Sequence, residues 1–319
     1  MSNPKRQHWV PKVYLKYFAT PESQGSGKET LWAFSRDKKS PATLLRPSVE
    51  SVAVERFLYS PKNSDGSRDF ELEKKFSEFE GTIGRLWPEL IAMRIGLTGS
   101  VRKILSLFVA TLHLRHPERR KEMLKLHQRL VDRVETELLS FKRIPPTVDV
   151  DINGRRMTFK TAEFEDWKNK SANDHHRSFV DVIAQEGKWL AKFLLKKRWS
   201  VIVADEPVFV TSDKPVILDG PLDRKKKFGF GTPGMTVTFP LSPKMLLHLC
   251  DRVPGKEDGL YCPLQGIPGM PVPAWAPFNW QVWVNASRLM LSPRPADAVL
   301  SEIVAFHDWA QVNSGLDES

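Results

Sequence analysis

Four titratable side chains stand where an ordinary surface residue would not: His8, Glu55, Glu80 and Asp213. His8 belongs to the opening Arg6-Gln7-His8-Trp9-Val10-Pro11-Lys12-Val13-Tyr14-Leu15-Lys16-Tyr17-Phe18. Segments near a chain end usually fray, but the apolar run from Val10 to Phe18 must bury itself and so holds His8 in place. A fixed neutral imidazole can ligate a metal or move a proton; the same ring can also do no more than bond the backbone while anchoring the segment. Glu55 lies among Val52, Val54 and Phe57, where a carboxylate needs a cation or a metal beside it. Glu73 and Glu80 are seven residues apart on one predicted helix, so two turns place them on one face about 10 Å apart. Glu80, flanked by Phe79 and Ile83, is the stronger candidate, and Glu73 reads as a solvated glutamate. Asp213 follows the apolar strand 208–211, a place where a rigid scaffold meets a loop and catalytic carboxylates often stand. An Asp before Lys214-Pro215 is also an ordinary turn signal.

Two sets of cations accompany these acids. Arg115 lies in the long helical stretch 101–142, and its planar fork can grip a carboxylate or a phosphate with two bonds. The choice there is between a phosphate and an internal bridge to Glu80 or Glu55. Arg224, Lys225, Lys226 and Lys227 form a loop run followed by Phe228 and Phe230, a pattern that can hold phosphates while an aromatic ring stacks on a base. His113 and His116 are three apart, a weak metal spacing with no acid in the same turn. The standard phosphate-loop, dinucleotide, nucleophile-elbow and zinc-protease motifs are all missing, which argues against those enzyme classes.

The composition sets the bounds. The chain has 319 residues, 41% hydrophobic, with ten tryptophans and 18 phenylalanines, enough for a large core. Its net charge of +10 leans toward a polyanionic partner such as nucleic acid. No stretch reaches the roughly 20 apolar residues that span a bilayer, and the N-terminus lacks a secretory apolar region. Cys250 and Cys262 read as two reduced thiols. A cytoplasmic protein with no membrane partner is expected.

The elements that must position the candidates follow from periodicity. Residues 29–36 read as a strand and 69–95 as a helix with a kink at Pro88. Residues 101–142 read as a helix capped by Ser100 and broken at Pro117. A hairpin turning at Asn153-Gly154 marks 147–170 as an insertion, and 174–197 is a further helix. Strands follow at 199–204, 208–211, 216–218, 236–239 and 245–249. Residues 252–277 read as irregular, and 278–291 and 296–312 as two closing helices. The fold class is α+β, a helical body packed with a small, mostly antiparallel sheet. Strand 29–36 and the 199–249 strands are expected to share that sheet, making residues 1–319 one domain.

The opening is similar to that of the bacterial domain-of-unknown-function family numbered 4238. The resemblance continues through Ser51-Val52-Ala53-Val54-Glu55-Arg56-Phe57-Leu58-Tyr59, Leu72-Glu73 with Glu80-Gly81, and Leu114-Arg115-His116-Pro117. It ends with Phe209-Val210-Thr211-Ser212-Asp213-Lys214-Pro215 and Pro240-Leu241-Ser242-Pro243. Lys214 departs from the family, which more often has Asn there. The resemblance brings a list of polar positions and no settled activity. It picks out His8, Glu55, Glu80 and Asp213 as a catalytic set, with Glu55, Glu80 and Asp213 as ligands of Mg²⁺ or Mn²⁺ if they converge. The metal would activate water, Arg115 would bind phosphate, and the product would be a metal-dependent nuclease or phosphodiesterase, a toxin or phage-defence effector. Two other readings stand beside it. One is a non-catalytic nucleic-acid binder, with the carboxylates paired internally. The other is a module that docks a protein partner through Pro263, Pro268, Pro271, Pro273, Trp275, Pro277 and Trp280.

Overall fold

A computed structural model describes residues 5–35, 46–152, 155–220, 229–266 and 268–314. The opening forms a short strand, β1 (Arg6–His8), and a turn of helix, α1 (Lys12–Leu15). Then come β2 (Trp32–Ser35), β3 (Val54–Arg56) and α2 (Glu71–Ile91). Pro88 lies inside α2, one turn from its end, and the helix continues to Ile91. The long helical stretch is two helices, α3 (Gly99–Leu114) and α4 (Pro117–Leu139). Proline favours the first helical position because it has no N–H to leave unbonded there, so Pro117 starts α4. His116 is its N-cap. His113 and His116 therefore stand on different helices, which removes the shared metal face. The cap of α3 is Thr98, whose hydroxyl accepts from the Val101 N–H. Ser100 falls inside the first turn instead.

The insertion is the hairpin β4 (Thr147–Ile152) and β5 (Arg155–Lys160) followed by α5 (Thr161–Lys168). It packs on α4 through its own small core, with Leu130, Val131 and Val134 against Val148, Val150 and Phe164. The Asn153-Gly154 turn lies outside the described residues. Next is α6 (Ala172–Lys196), started by a reciprocal cap between Ser171 and Asp174.

The strands after α6 are β6 (Arg198–Val203), β7 (Thr211–Ser212), β8 (Ile217–Asp219), β9 (Thr236–Ser242), β10 (Met245–Cys250) and β11 (Gly259–Pro263). The chain closes with α7 (Ala276–Asn285), β12 (Leu289–Ser292) and α8 (Ala296–Ser314). The fold is α+β, and its sheets are small and mostly antiparallel. They do not merge into one. A five-stranded sheet runs β11-β6-β10-β9-β8, while β2 belongs to a separate sheet, β2-β12-β7. Two strands contradict the sequence reading. β11 lies within the stretch read as irregular and pairs in parallel with β6. β12 lies within the stretch read as helix, drawn into extended form between β2 and β7.

The opening run is buried, as its composition requires: Val10, Tyr14, Leu15 and Phe18 are core residues. Tyr14 is where helices meet sheet. Its ring stacks on Phe239 of β9 at 5.2 Å and meets Trp87 of α2 edge-on at 5.7 Å. Its hydroxyl donates to the Pro240 carbonyl at 2.8 Å and bonds Thr211 at 2.7 Å. Trp87 donates its indole N–H to the Leu241 carbonyl. Buried polar tips on aromatic rings need such partners, and each pairing ties the opening or α2 to the strands.

Candidate functional site

The structure brings the His8 carbonyl and the Glu80 carboxylate together on one guanidinium. Arg115 ends α3 and is 2% exposed. Its Nε donates to the Trp9 carbonyl at 2.7 Å, one Nη to the His8 carbonyl at 2.8 Å and the other to Glu80 Oε1 at 3.0 Å. The fork lies over the Phe76 ring, and the Arg115 carbonyl accepts from the Tyr59 hydroxyl at 3.0 Å. This is the internal bridge to Glu80. Arg115 is thus turned inward, and its phosphate-binding role is not what the geometry shows. Glu55, the other partner considered for it, pairs instead with Arg120 of α4 at 2.8 Å.

Glu73 shares this neighbourhood, against the sequence reading of a solvated side chain. Burial first, and then the charge of Glu80, push its carboxyl up to about 7, with Arg115 opposing. The seven-residue spacing to Glu80 was the available signal. The folded chain therefore keeps a proton that the unfolded chain releases, and stability falls as pH rises from about 4.5 through about 7. Glu73→Gln removes this cost. Allowing for partial exposure, it is expected to stabilise the protein by about 1–2 kcal/mol at pH 8 and by nearly nothing at pH 4. Urea midpoints at the two pH values check this, and an equal effect at both would place Glu73 in solvent.

His8 is half-buried, and burial, followed by the charge of Lys12, lowers its imidazole to about 4. It is neutral at physiological pH. Its Nε2 is buried with no hydrogen-bond partner among the described residues.

Asp213 lies across Trp9 from this group. The Trp9 indole N–H donates to the Asp213 carbonyl at 2.7 Å. The Asp213 carboxylate accepts from the Ser287 and Arg288 backbone N–H groups, each at 2.9 Å, so it braces the turn before β12. Burial raises it to about 6 against those bonds. Beside it, Glu118 accepts from the Ser287 hydroxyl at 2.6 Å and from Lys214 Nζ at 2.9 Å. Burial opposes its charge, but the Ser287 and Lys214 bonds outweigh burial and hold it at about 2. Lys214 thus has a definite partner in Glu118. His116 Nδ1 accepts from the Glu118 N–H, its ring meets Trp9 at 5.8 Å, and burial lowers it to about 4.

These segments match a family model described as a protein of unknown function (DUF4238), over residues 6–260. The chain belongs to the DUF4238 family. No curated protein and no solved structure matches it. Three segments within the matched range, the opening, Leu114–Pro117 and Thr211–Pro215, meet at Trp9, Arg115, His116 and Asp213.

All four of these residues are buried. The cavity between His113, His116, Glu118, Arg119 and Lys214 measures about 10 Å³, room for one water. The expected metal set is not assembled: Glu55 is on Arg120, Glu80 on Arg115, and Asp213 on two backbone N–H groups. Among the described residues no group of three or more His, Cys, Asp or Glu side chains could hold a metal ion. Arg224, Lys225, Lys226 and Lys227 lie outside the described residues. Trp275 and Trp280 of the proline-rich segment dock on the chain itself, Trp275 on Glu302 and Trp280 on Phe306.

One open space among the described residues lies on the β1–β3 pair. Lys5, Arg6, Val54, Glu55 and Arg56 line a groove of about 490 Å³. Arg6 and Arg56 are direct partners in the register and both are exposed. Like charges directly opposite in a strand pair repel. Next to them, Phe57 takes a left-handed backbone, φ 54°, and its ring carries the guanidinium of Arg68 at 4.4 Å and of Arg56 at 5.8 Å.

Proposed function

We propose that this chain is a nucleic-acid-binding protein and that the groove at Lys5, Arg6 and Arg56 receives the phosphate backbone. The observation that carries this reading is the cross-strand Arg6–Arg56 pair lining an open groove. Such a pair is unfavourable by itself, and an anion between the two guanidinium groups reverses the sign of the interaction. Arginine forks suit phosphate oxygens. The chain's +10 charge draws a polyanion toward it. The metal-dependent nuclease, with its role as toxin or phage-defence effector, has less support, because its carboxylates are held by arginines and backbone N–H groups.

The test is fluorescence anisotropy with labelled single- and double-stranded DNA and RNA over a salt series, with and without Mg²⁺. Salt-sensitive binding is expected, with the probe left intact. Arg6→Glu/Arg56→Glu should weaken it by at least about tenfold. Losing two phosphate contacts should also flatten the salt slope by about 1.4 on single strands. Both side chains are exposed; the reversal gives up the Arg6 bond to the Glu50 carbonyl and the Arg56 contact with the Phe57 ring, so the thermal melt should fall by only a few degrees. Unchanged affinity in the double variant overturns the reading, and probe cleavage restores the nuclease.

A further inference from the structure

The end of α4 carries an exposed apolar cluster of a different character. Leu138 still packs into the small core of the insertion. One residue later the chain turns outward. Leu139 is 87% exposed, Phe141 48% and Ile144 73%. Lys142 and Arg143, both exposed, lie between the last two. The segment is held at both ends. The Ser140 hydroxyl donates to the Glu137 carbonyl at 2.6 Å, and the Phe141 N–H to the Leu138 carbonyl at 3.2 Å. At the far end the Thr161 hydroxyl donates to the Pro145 carbonyl at 2.6 Å, and the Thr161 N–H to the Pro146 carbonyl. Three large apolar side chains within six residues thus face outward on a supported turn.

We infer that this tip, Leu139 to Ile144, docks on an anionic lipid surface. The residue types choose the occupant. Leucine and isoleucine gain from entering an acyl boundary and gain little from a phosphate backbone, where stacking rings and cations are needed. A second copy would bring Lys142 and Arg143 against their own counterparts at a two-fold contact. Anionic headgroups complement both cations while the apolar side chains enter beneath them. Among the described residues no helix is long and apolar enough to cross a membrane, so the contact is peripheral. This departs from the expectation of no membrane partner, which rested on the lack of a spanning segment.

The experiment is sedimentation with extruded vesicles of phosphatidylcholine alone and of phosphatidylcholine with phosphatidylglycerol. The full chain is compared with Leu139→Ser/Phe141→Ser/Ile144→Ser, with Lys142→Glu/Arg143→Glu and with Arg6→Glu/Arg56→Glu. Binding to the anionic vesicles is expected, lowered about tenfold or more by each tip variant and little changed by the groove variant. No binding to anionic vesicles overturns the proposal. So does undiminished binding by the apolar triple variant, which would assign the effect to general basic charge. If the triple variant loses nucleic-acid affinity while vesicles are ignored, the tip belongs to the nucleic-acid surface and the lipid proposal fails.

Discussion

Arg115→Ala is expected to destabilise the fold by about 3–5 kcal/mol, the cost of removing one partner of a buried ion pair. Three acceptors lose their donor together: the carbonyls of His8 and Trp9, and Glu80. Glu80 is 27% exposed and takes up some water, which favours the lower end of the range. Arg115→Lys is the informative companion. A lysine ammonium can reach one of these acceptors but cannot serve three from a planar fork, so it should recover less than half of the loss. Arg115→Ala/Glu80→Gln should recover part of it by removing the stranded charge. Urea denaturation of the four proteins checks this. A loss below about 1 kcal/mol in Arg115→Ala would mean that the opening is held elsewhere, through Trp9 and Tyr14.

Asp213→Asn is expected to cost about 2 kcal/mol although it preserves shape. Each carboxylate oxygen accepts a separate backbone N–H, from Ser287 and from Arg288. An asparagine has one oxygen, so its NH₂ must face one of those donors, and that N–H is left buried without a partner. The consequence should spread to β12, whose pairing with β7 begins beside this turn. Hydrogen exchange of the Leu289–Ser292 amides measures it: faster exchange there, with α2 and α3 unchanged, is expected. Uniform protection across β12 would show that Asp213 does not brace the turn.

The long helices were legible because their apolar period persists over many residues. α2, α4 and α6 each show it, and Pro117 marked the break between α3 and α4. β11 and β12 were hidden for a different reason. A four- or five-residue apolar run fits either period, and the partners that make these runs extended are distant in sequence: Gly259–Pro263 needs β6, and Leu289–Ser292 needs β2 and β7. The site divides the same way. His8, Glu80 and Arg115 could be picked out from burial and charge near them in the chain. Trp9–Asp213 and Glu118–Ser287 bridge 204 and 169 positions, and no local pattern encodes them. Glu73 was misread because its solvation depends on Tyr59 and Arg115, which other segments supply.

The opening strap has a consequence for synthesis. Val10, Tyr14, Leu15 and Phe18 are synthesised well before the strands they pack against: Trp9 waits for Asp213, and Tyr14 for Thr211 and Pro240. At ordinary elongation rates of about 5–20 residues per second, that delay is roughly 10–40 s. Throughout it the nascent chain carries an unpaired apolar run. The closing of this fold is therefore a late, long-range event, slow by its topology, and the opening segment is where a chaperone would find the growing chain.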